Sequence, residues 1–398
     1  MPERRRVALM LDLTWPYKRH VGTFAGTQRY AQEHDWESTI DEFAYDTLPA
    51  RRTKAVRYDG VIARATTQLA NRSARNGLPV VNVWHSSPVF ESLPGVFADS
   101  SATGRLCADH LLSRGFRNFA VVTSPRNRAA TIELQQFRRL ITETGCTCVT
   151  AQVPQRTDRT VADWRRTEQT ITKWMDGWKL PIGILSTTEQ TGRLIVQMCR
   201  ERGWRVPEDV AIIAGSNEET LCENPRPSLT SVEIGHERIG YEAARLLDQL
   251  MDEKDRGAKT FSVEHIMLPP QGLVVRESTD FFAVKDSLVA SALEVIAGQS
   301  HRSIGPSDVA KAVSTELRTL QRRFSKYLGR PIAAEIRRVR IERARRELTQ
   351  TDRSIANISH GVGFGEPMRM YEVFVRELGV TPSEYRKQRT SQFHTEGI

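Results

Sequence analysis

Between residues 309 and 386 one plan occurs twice, and that repetition restricts the fold more than any other feature of the chain. In the first copy residues 309–313 predict a short helix, Ser314 and Thr315 a tight turn, and residues 316–324 a second helix. Leu317, Leu320 and Phe324 recur at the spacing of one helix face, which leaves Arg318, Thr319 and Arg322 on the other face and Gln321 at its margin. In the second copy residues 354–360 predict the short helix, Gly361, Gly363 and Gly365 mark the turn, and a helix follows from about Glu366 to Leu378. Pro367 suits the first turn of that helix, since it lacks an N–H that the helix would leave unpaired. Met370 and Phe374 point inward there, and Met368, Arg369, Glu372 and Arg376 point outward. Residues 331–348 join the copies with no Gly or Pro after Pro331, carry Arg337, Arg338, Arg340, Arg343, Arg345 and Arg346, and predict one long helix. Two helix-turn-helix units on one rigid helix can enter neighbouring major grooves of one DNA face, which recur about every 34 Å. The glycine run follows a helix rather than a strand, so it reads as a turn and not as a phosphate loop.

Charge supports that reading. The chain of 398 residues has a formal net charge of +9, and residues 285–398 hold 20 Lys and Arg against 13 Asp and Glu. Basic charge gathered on the last quarter is what binding to a polyanion needs. The five cysteines are an odd number without zinc spacing, and the nine histidines form no HExxH, so free thiols in a reducing cytoplasm and no metal are expected. The apolar run at residues 7–13 is short and broken by Asp12, and no stretch has the length of a membrane helix, so a cytoplasmic protein without a membrane partner is expected.

The first 280 residues alternate apolar strand signals with helical ones. Residues 7–11, 59–63, 78–83 and 118–122 read as buried strands, and residues 17–34 and 100–114 as helices among them. A second round places helices at 131–144, 161–178 and 190–202 around strands at 181–186 and 209–214. Such alternation predicts parallel sheets covered on both faces, in two doubly wound lobes whose ligand lies at the carboxyl ends of the strands. The polar and aromatic residues at those ends are Asp12, Tyr17, Arg64, Trp84, Asp99, Glu189 and Asn217. Carboxylates and amides there would serve sugar hydroxyls, and an aromatic face the ring carbons. Each has a plainer role beside that one: Asp99 as a helix cap, Trp84 as core, Glu189 as a first-turn acid that satisfies the helix dipole.

Two resemblances follow from these residues. The series Ala310, Leu320-Gln321-Arg322-Arg323-Phe324, Gly329-Arg330-Pro331, Arg340, Ala344, Leu348, Ile355, Ile358, Gly363-Phe364, Phe374, Gly379-Val380-Thr381-Pro382 and Tyr385-Arg386 resembles the DNA-binding domain of the AraC family. The family's turn glycine is Ser314 here, its capping serine is Glu316, and a position often basic is Glu372, so base preference does not carry over. Asp99-Ser100, Gly104, Asp109-His110-Leu111, Gly115-Phe116-Arg117-Asn118-Phe119-Ala120, residues 203–213, 227–232 and Leu268-Pro269-Pro270 to Thr279 resemble LacI/GalR-type sugar-binding regulators. There the family's aspartate is Ser216 and an arginine is Glu133, so the sugar's identity does not carry over.

Together the resemblances imply an α/β two-lobed periplasmic-binding-protein-like domain of doubly wound parallel sheets, followed by an all-α domain with two helix-turn-helix units. The expected boundaries are 1–280 for the sensor, 281–286 for a short linker, 287–390 for the DNA-binding domain and 391–398 for a tail. The expected function is a transcription regulator controlled by a small sugar, D-xylose or another pentose. Its partners would be operator DNA, a second copy of the chain, and RNA polymerase if it activates. Arg318, Thr319, Gln321 and Arg322 would read one groove, and Met368, Arg369 and Glu372 the next. The same scaffold sensing a purine is the alternative; a purine pocket would present stacked aromatics and a pentose pocket carboxylates. No GxGxxG after a strand, no P-loop and no GxSxG is present, so an enzyme with a cofactor is not expected.

Overall fold

A computed structural model describes residues 4–13, 18–49, 57–123, 127–153, 160–258, 260–284, 286–351, 353–378 and 380–390. The chain begins with β1 (Arg6–Met10), α1 (Lys18–Glu33), β2 (Glu37–Ile40), α2 (Ala44–Thr47), β3 (Gly60–Ala63), α3 (Thr67–Asn76), β4 (Val80–Asn82) and β5 (Gly95–Ala98). Helix α4 (Ser100–Ser113) crosses to β6 (Asn118–Thr123), α5 (Arg128–Glu143), β7 (Thr147–Gln152), α6 (Val161–Asp176), β8 (Ile182–Ser186), α7 (Glu189–Glu201), β9 (Val210–Ala214) and α8 (Glu219–Glu223). The chain returns through β10 (Ser231–Glu233) to α9 (His236–Asp255), β11 (His265–Leu268) and β12 (Gly272–Val274).

Two parallel sheets result, with strand orders β11-β5-β4-β3-β1-β2 and β7-β6-β8-β9. Strands β1, β3, β6, β8 and β9 are buried almost throughout, as their unbroken apolar sequences require of parallel strands covered by helices on both faces. The antiparallel pair β10 and β12 lies between the lobes, Ser231 opposite Val274 and Glu233 opposite Gly272. Around it runs a buried hydroxyl chain: Ser278 Oγ donates to the Ile212 carbonyl at 2.6 Å and accepts from Thr230 N–H at 2.8 Å, and Thr230 Oγ1 meets Thr279 Oγ1 at 2.7 Å. In the first lobe α1 lies against α9 with backbone on backbone. A Cβ at Gly26 would fall 1.7 Å from the Glu237 carbonyl oxygen, and one at Gly240 1.9 Å from that of Thr23.

The C-terminal part is helical: α10 (Ser287–Gln299), α11 (Pro306–Ala312), α12 (Leu317–Leu328), α13 (Ile332–Gln350), α14 (Ile355–Gly361), α15 (Pro367–Leu378) and α16 (Pro382–Thr390). Helix α13 serves two cores. Ile332 and Ile336 pack with Leu293, Leu320 and Phe324, whereas Ile341, Ala344 and Leu348 pack with Ile358, Met370 and Phe374. Between sensor and helices the chain alternates its allegiance: Phe281 and Ala283 pack on the sensor core, Phe282 and Val284 on the core of α10, α12 and α13. The Ala283 N–H donates to the Arg114 carbonyl at 2.7 Å, which ties this segment to the end of α4.

Candidate ligand cleft and nucleic-acid interface

Between the two lobes lies a cavity of about 260 Å³, at the carboxyl ends of the first sheet's strands. Leu11 after β1, Arg64 after β3, Trp84, His85 and Ser86 after β4, and Phe97 and Ala98 of β5 form one side. Arg19, His20 and Thr23 of α1, His236 and Ile239 of α9, and Asn127 and Ala129 of the second lobe complete it. Bonds across the mouth hold the lobes together. Arg128 N–H donates to Ser86 Oγ at 3.0 Å, the Arg128 guanidinium pairs with Glu91 at 2.8 Å, and Lys18 N–H donates to Glu218 at 2.6 Å. Lys18 Nζ also lies 2.7 Å from Glu233 and 3.5 Å from Glu219.

Asp12, Arg64 and Trp84 come together as their strand-end positions predict. The Asp12 carboxylate pairs with Arg64 at 3.4 Å, and the Arg64 guanidinium lies over the Trp84 ring, 4.9 Å from its centroid. Asp12 is held at a φ of 58°, and its carbonyl accepts from His20 Nδ1 at 2.7 Å. The cavity's three imidazoles were not singled out from the sequence. Burial lowers all three: His85 is held down at about 4 and His236 at about 3, so both are neutral at pH 7, and the His20 value is lowered as well. His85 Nδ1 and His236 Nε2 are buried without a hydrogen-bond partner among the described residues. Among the described residues no group of three or more His, Cys, Asp and Glu is placed to hold a metal ion.

The other expected ligand residues stand elsewhere. Tyr17 lies outside the described residues. Asp99 caps α4, accepting from Ala102 N–H at 2.9 Å, and borders the groove between the sensor and the C-terminal helices rather than the cavity. Glu189, 5 % exposed, accepts from the N–H groups of Ser216 at 2.7 Å and Glu218 at 3.1 Å, so its carboxylate shapes the loop after β9. Gly215 lies against it at a φ of 66°, where a Cβ would be 1.9 Å from Glu189 Cδ. Asn217, 4 % exposed at a φ of 64°, donates to Glu233 at 2.8 Å and accepts from Ser231 Oγ at 3.1 Å and Arg276 at 2.8 Å. The Glu189 carboxylate at the start of α7 and the Asn217 amide in the loop are therefore engaged in holding the loop and the inter-lobe strands. Ser216 contributes its backbone N–H to the same arrangement and does not line the cavity.

In the C-terminal part the expected contact residues share exposed faces. Arg318, Gln321 and Arg322 on α12 are exposed with Thr319 half-buried, and Met368, Arg369 and Glu372 on α15 are exposed. Ser314 occupies the turn before α12 at a φ of 53°, the left-handed region that favours glycine, and Glu316 makes no side-chain cap. In the second unit Ser354 caps α14 through Asn357 N–H at 3.2 Å, and Gly363 at a φ of 91° brings its backbone onto that of Ser300, where a Cβ would lie 2.2 Å from the Ser300 carbonyl oxygen. Two arginines of α13 are structural instead of outward-facing. Arg340, 6 % exposed, donates to the carbonyls of Ser300, Arg302 and Ile304, each at 2.9 Å, and Arg343 donates to that of Ala297 at 2.6 Å. Helix α15 also exposes Tyr371 (47 %) and Val375 (41 %), which periodicity alone did not mark as contacts.

The Periplasmic binding protein-like domain family matches residues 108–279, and the Helix-turn-helix domain family residues 309–388. The chain is 30 % identical over 393 residues to the xylose operon regulatory protein of Escherichia coli (strain K12), covering 96 % of this chain and 97 % of that one. It is 26 % identical over 386 residues to the xylose operon regulatory protein of Haemophilus influenzae, covering 96 % and 98 %. The solved structure of a xylose-binding transcription activator superposes with a TM-score of 0.58 at 27 % identity, over 97 % of this chain and 99 % of that one.

Proposed function

This chain belongs to the family of the xylose operon regulatory proteins, AraC-type regulators with a periplasmic-binding-protein-like sensor, and from that premise we propose how it works. A sugar-responsive regulator of transcription is the common ground of the family; the identity of the sugar and the geometry of the response are our reading. One monosaccharide of about pentose size occupies the inter-lobe cavity, holds the lobes closed and repositions the C-terminal domains of a homodimer on operator DNA. Where the chain activates, the bound dimer contacts RNA polymerase. The observation that carries this is the cavity itself. Its volume of about 260 Å³ suits one sugar ring, below the roughly 300–1,000 Å³ of drug-sized sites, and its walls come from both lobes. Closure and occupancy are then linked, since a ligand that touches both lobes favours the closed state. The purine alternative is less well served, because Arg64 already covers the indole of Trp84.

On DNA, Arg318, Thr319, Gln321 and Arg322 face one major groove, and Met368, Arg369 and Glu372 the next. The test of the sensor is thermal unfolding of the full chain with neutral pentoses, neutral hexoses, sugar acids and purines. D-Xylose is the first compound to try, since two relatives are named for its operon. At a hundredfold excess over Kd a bound sugar adds about 2.7 kcal/mol to native stability. Stabilisation by a purine and by no sugar contradicts the proposal.

A further inference from the structure

We propose that α15 reads a run of pyrimidines on one DNA strand, with Met368 and Val375 on thymine methyl groups and Glu372 between them on a cytosine amino group. The inference rests on the reading that α15 lies in a major groove. Its starting point is the register of the two helix-turn-helix units. Leu320 and Phe324 on α12, and Met370 and Phe374 on α15, are wholly buried, each pair against its own half of α13. When these pairs are aligned, Arg318, Gln321, Arg322 and Ser325 of α12 correspond to Met368, Tyr371, Glu372 and Val375 of α15, and all eight are exposed. The first set carries two guanidiniums, an amide and a hydroxyl. The second carries a thioether, a phenol ring, a carboxylate and an isopropyl group. The same positions of one repeated scaffold therefore present opposite chemistry.

Met368, Glu372 and Val375 follow one another at helical spacing along the centre of the outer face. Tyr371 widens the apolar line on one shoulder; Arg369 and Arg376, the latter 3.2 Å from Glu377, stand on the other. A single exposed apolar side chain is ordinary, but a continuous line of them marks a contact surface. Met368, the second residue of α15, is 67 % exposed at the end of the helix that enters a groove first. An occupant of this face must offer apolar groups along the centre and negative charge beside them. A pyrimidine strand in the major groove does both. Thymine alone carries a methyl at that edge, and cytosine offers an amino donor, whereas guanine and adenine present an N7 lone pair that a carboxylate meets unfavourably. Arg369 and Arg376 then face the phosphates of the groove wall. From Met368 to Val375 the helix rises about 10 Å, or about three base steps of roughly 3.4 Å. Three side chains at that pitch suit three neighbouring pyrimidines.

Duplexes selected from a random pool by the full chain test this, with each thymine replaced in turn by deoxyuridine, which removes the methyl and keeps the base pair. At least one replacement, about one helical turn from the guanine whose recognition Arg322→Ala relaxes, should weaken binding about fourfold, the value of one buried methylene-sized group. Met368→Ala or Val375→Ala should cancel that penalty, and Arg322→Ala should leave it in place. Both alanine variants alter exposed side chains, and melting curves without DNA confirm that each folds. If no thymine outside the base pairs read by Arg322 responds to loss of its methyl, the inference is overturned and the regulator reading stands. A penalty that persists unchanged in both Met368→Ala and Val375→Ala also overturns it, since other groups then read the methyl. Unaltered DNA affinity in those variants, together with reduced transcription by purified RNA polymerase, overturns it too and assigns the apolar line to a protein partner. If the chain selects no sequence at all, the placement of α15 in a major groove falls as well.

Discussion

At the scale of single residues the physical chemistry is sharpest in two places. Ser314 sits at a φ of 53°, a conformation that costs a side-chain-bearing residue about 1–2 kcal/mol relative to glycine. Ser314→Gly should raise the stability of the DNA-binding part by up to about 1 kcal/mol, less than the full strain because glycine also loosens the unfolded chain. Chemical denaturation of the variant checks this, and a loss of stability would show that the turn is not strained. The second place is His85 and His236, two imidazoles that line the cavity. An unfolded histidine titrates near 6.5, whereas His85 and His236 are held at about 4 and about 3. Their native pKa values are depressed, so below pH 6.5 the unfolded chain takes up protons that the native chain does not. Stability present above that pH is then lost, by up to about 1.4 kcal/mol per pH unit for each histidine, until the native pKa is reached. Denaturant unfolding at pH 7.5, 6.5 and 5.5 should show the fall, and His85→Phe should reduce its slope by close to one proton. An unchanged slope in that variant removes His85 from the account.

At the scale of elements the proposal is that α12 and α15 divide the work on DNA. Helix α12 offers Arg318 and Arg322, able to form bidentate bonds with guanine, and α15 offers Glu372, which phosphates repel. Arg322→Ala should weaken specific binding by about 1–3 kcal/mol and relax preference at one base pair. Glu372→Ala should hold or raise non-specific affinity while broadening the second half of the site. Affinities for a panel of single-base variants of a selected site decide it; a greater loss from Glu372→Ala than from Arg322→Ala contradicts the division. The elements also show what can be read from the chain alone. The strands β1, β3, β6, β8 and β9 were legible because burial on both faces demands unbroken apolar runs. Strand β7, whose TCVTAQ is mostly exposed, gave no such signal, and β10 and β12 are three residues each, set by the inter-lobe crossing rather than by pattern. Helix α9, which spans 20 residues, is not among the helices the sequence pattern marks. Asp12, Arg64 and Trp84 stand out in the sequence because each lies within two residues of a strand's end. Glu189 and Asn217 misled because a carboxylate or amide that suits a sugar hydroxyl suits a loop N–H equally, and only the fold shows which is bonded. His20 and His236 enter the cavity from helices, so strand-end reasoning passed over them.

At the scale of the whole molecule the question is how a closed cleft is felt by α12 and α15. The segment with Phe281 and Ala283 on the sensor core and Phe282 and Val284 on the helical core is the physical link. Beside it Glu335, almost wholly buried, pairs with Arg330 and Arg338, both at 2.7 Å, and Arg330 reaches the Ser113 carbonyl at 3.5 Å. Arg114, which donates to the Thr279 carbonyl at 2.5 Å, lies over the Phe282 ring at 5.6 Å. On the proposed lobe closure, any shift of α4 would be passed through these contacts to α10 and α13. Phe282→Ala should leave sugar binding and DNA binding each present while reducing their coupling by about 0.5–2 kcal/mol. Full coupling in that variant would place the link elsewhere. The most direct measurement of the central claim is the DNA affinity of the full chain with and without its sugar. Duplexes selected from a random pool by the chain would be titrated in the presence and absence of whichever monosaccharide most raises its unfolding temperature. A change in Kd of about fivefold or more, in either direction, is the predicted result, with the reciprocal change in sugar affinity when DNA is bound. A sugar that stabilises the sensor but leaves both affinities unaltered would contradict it.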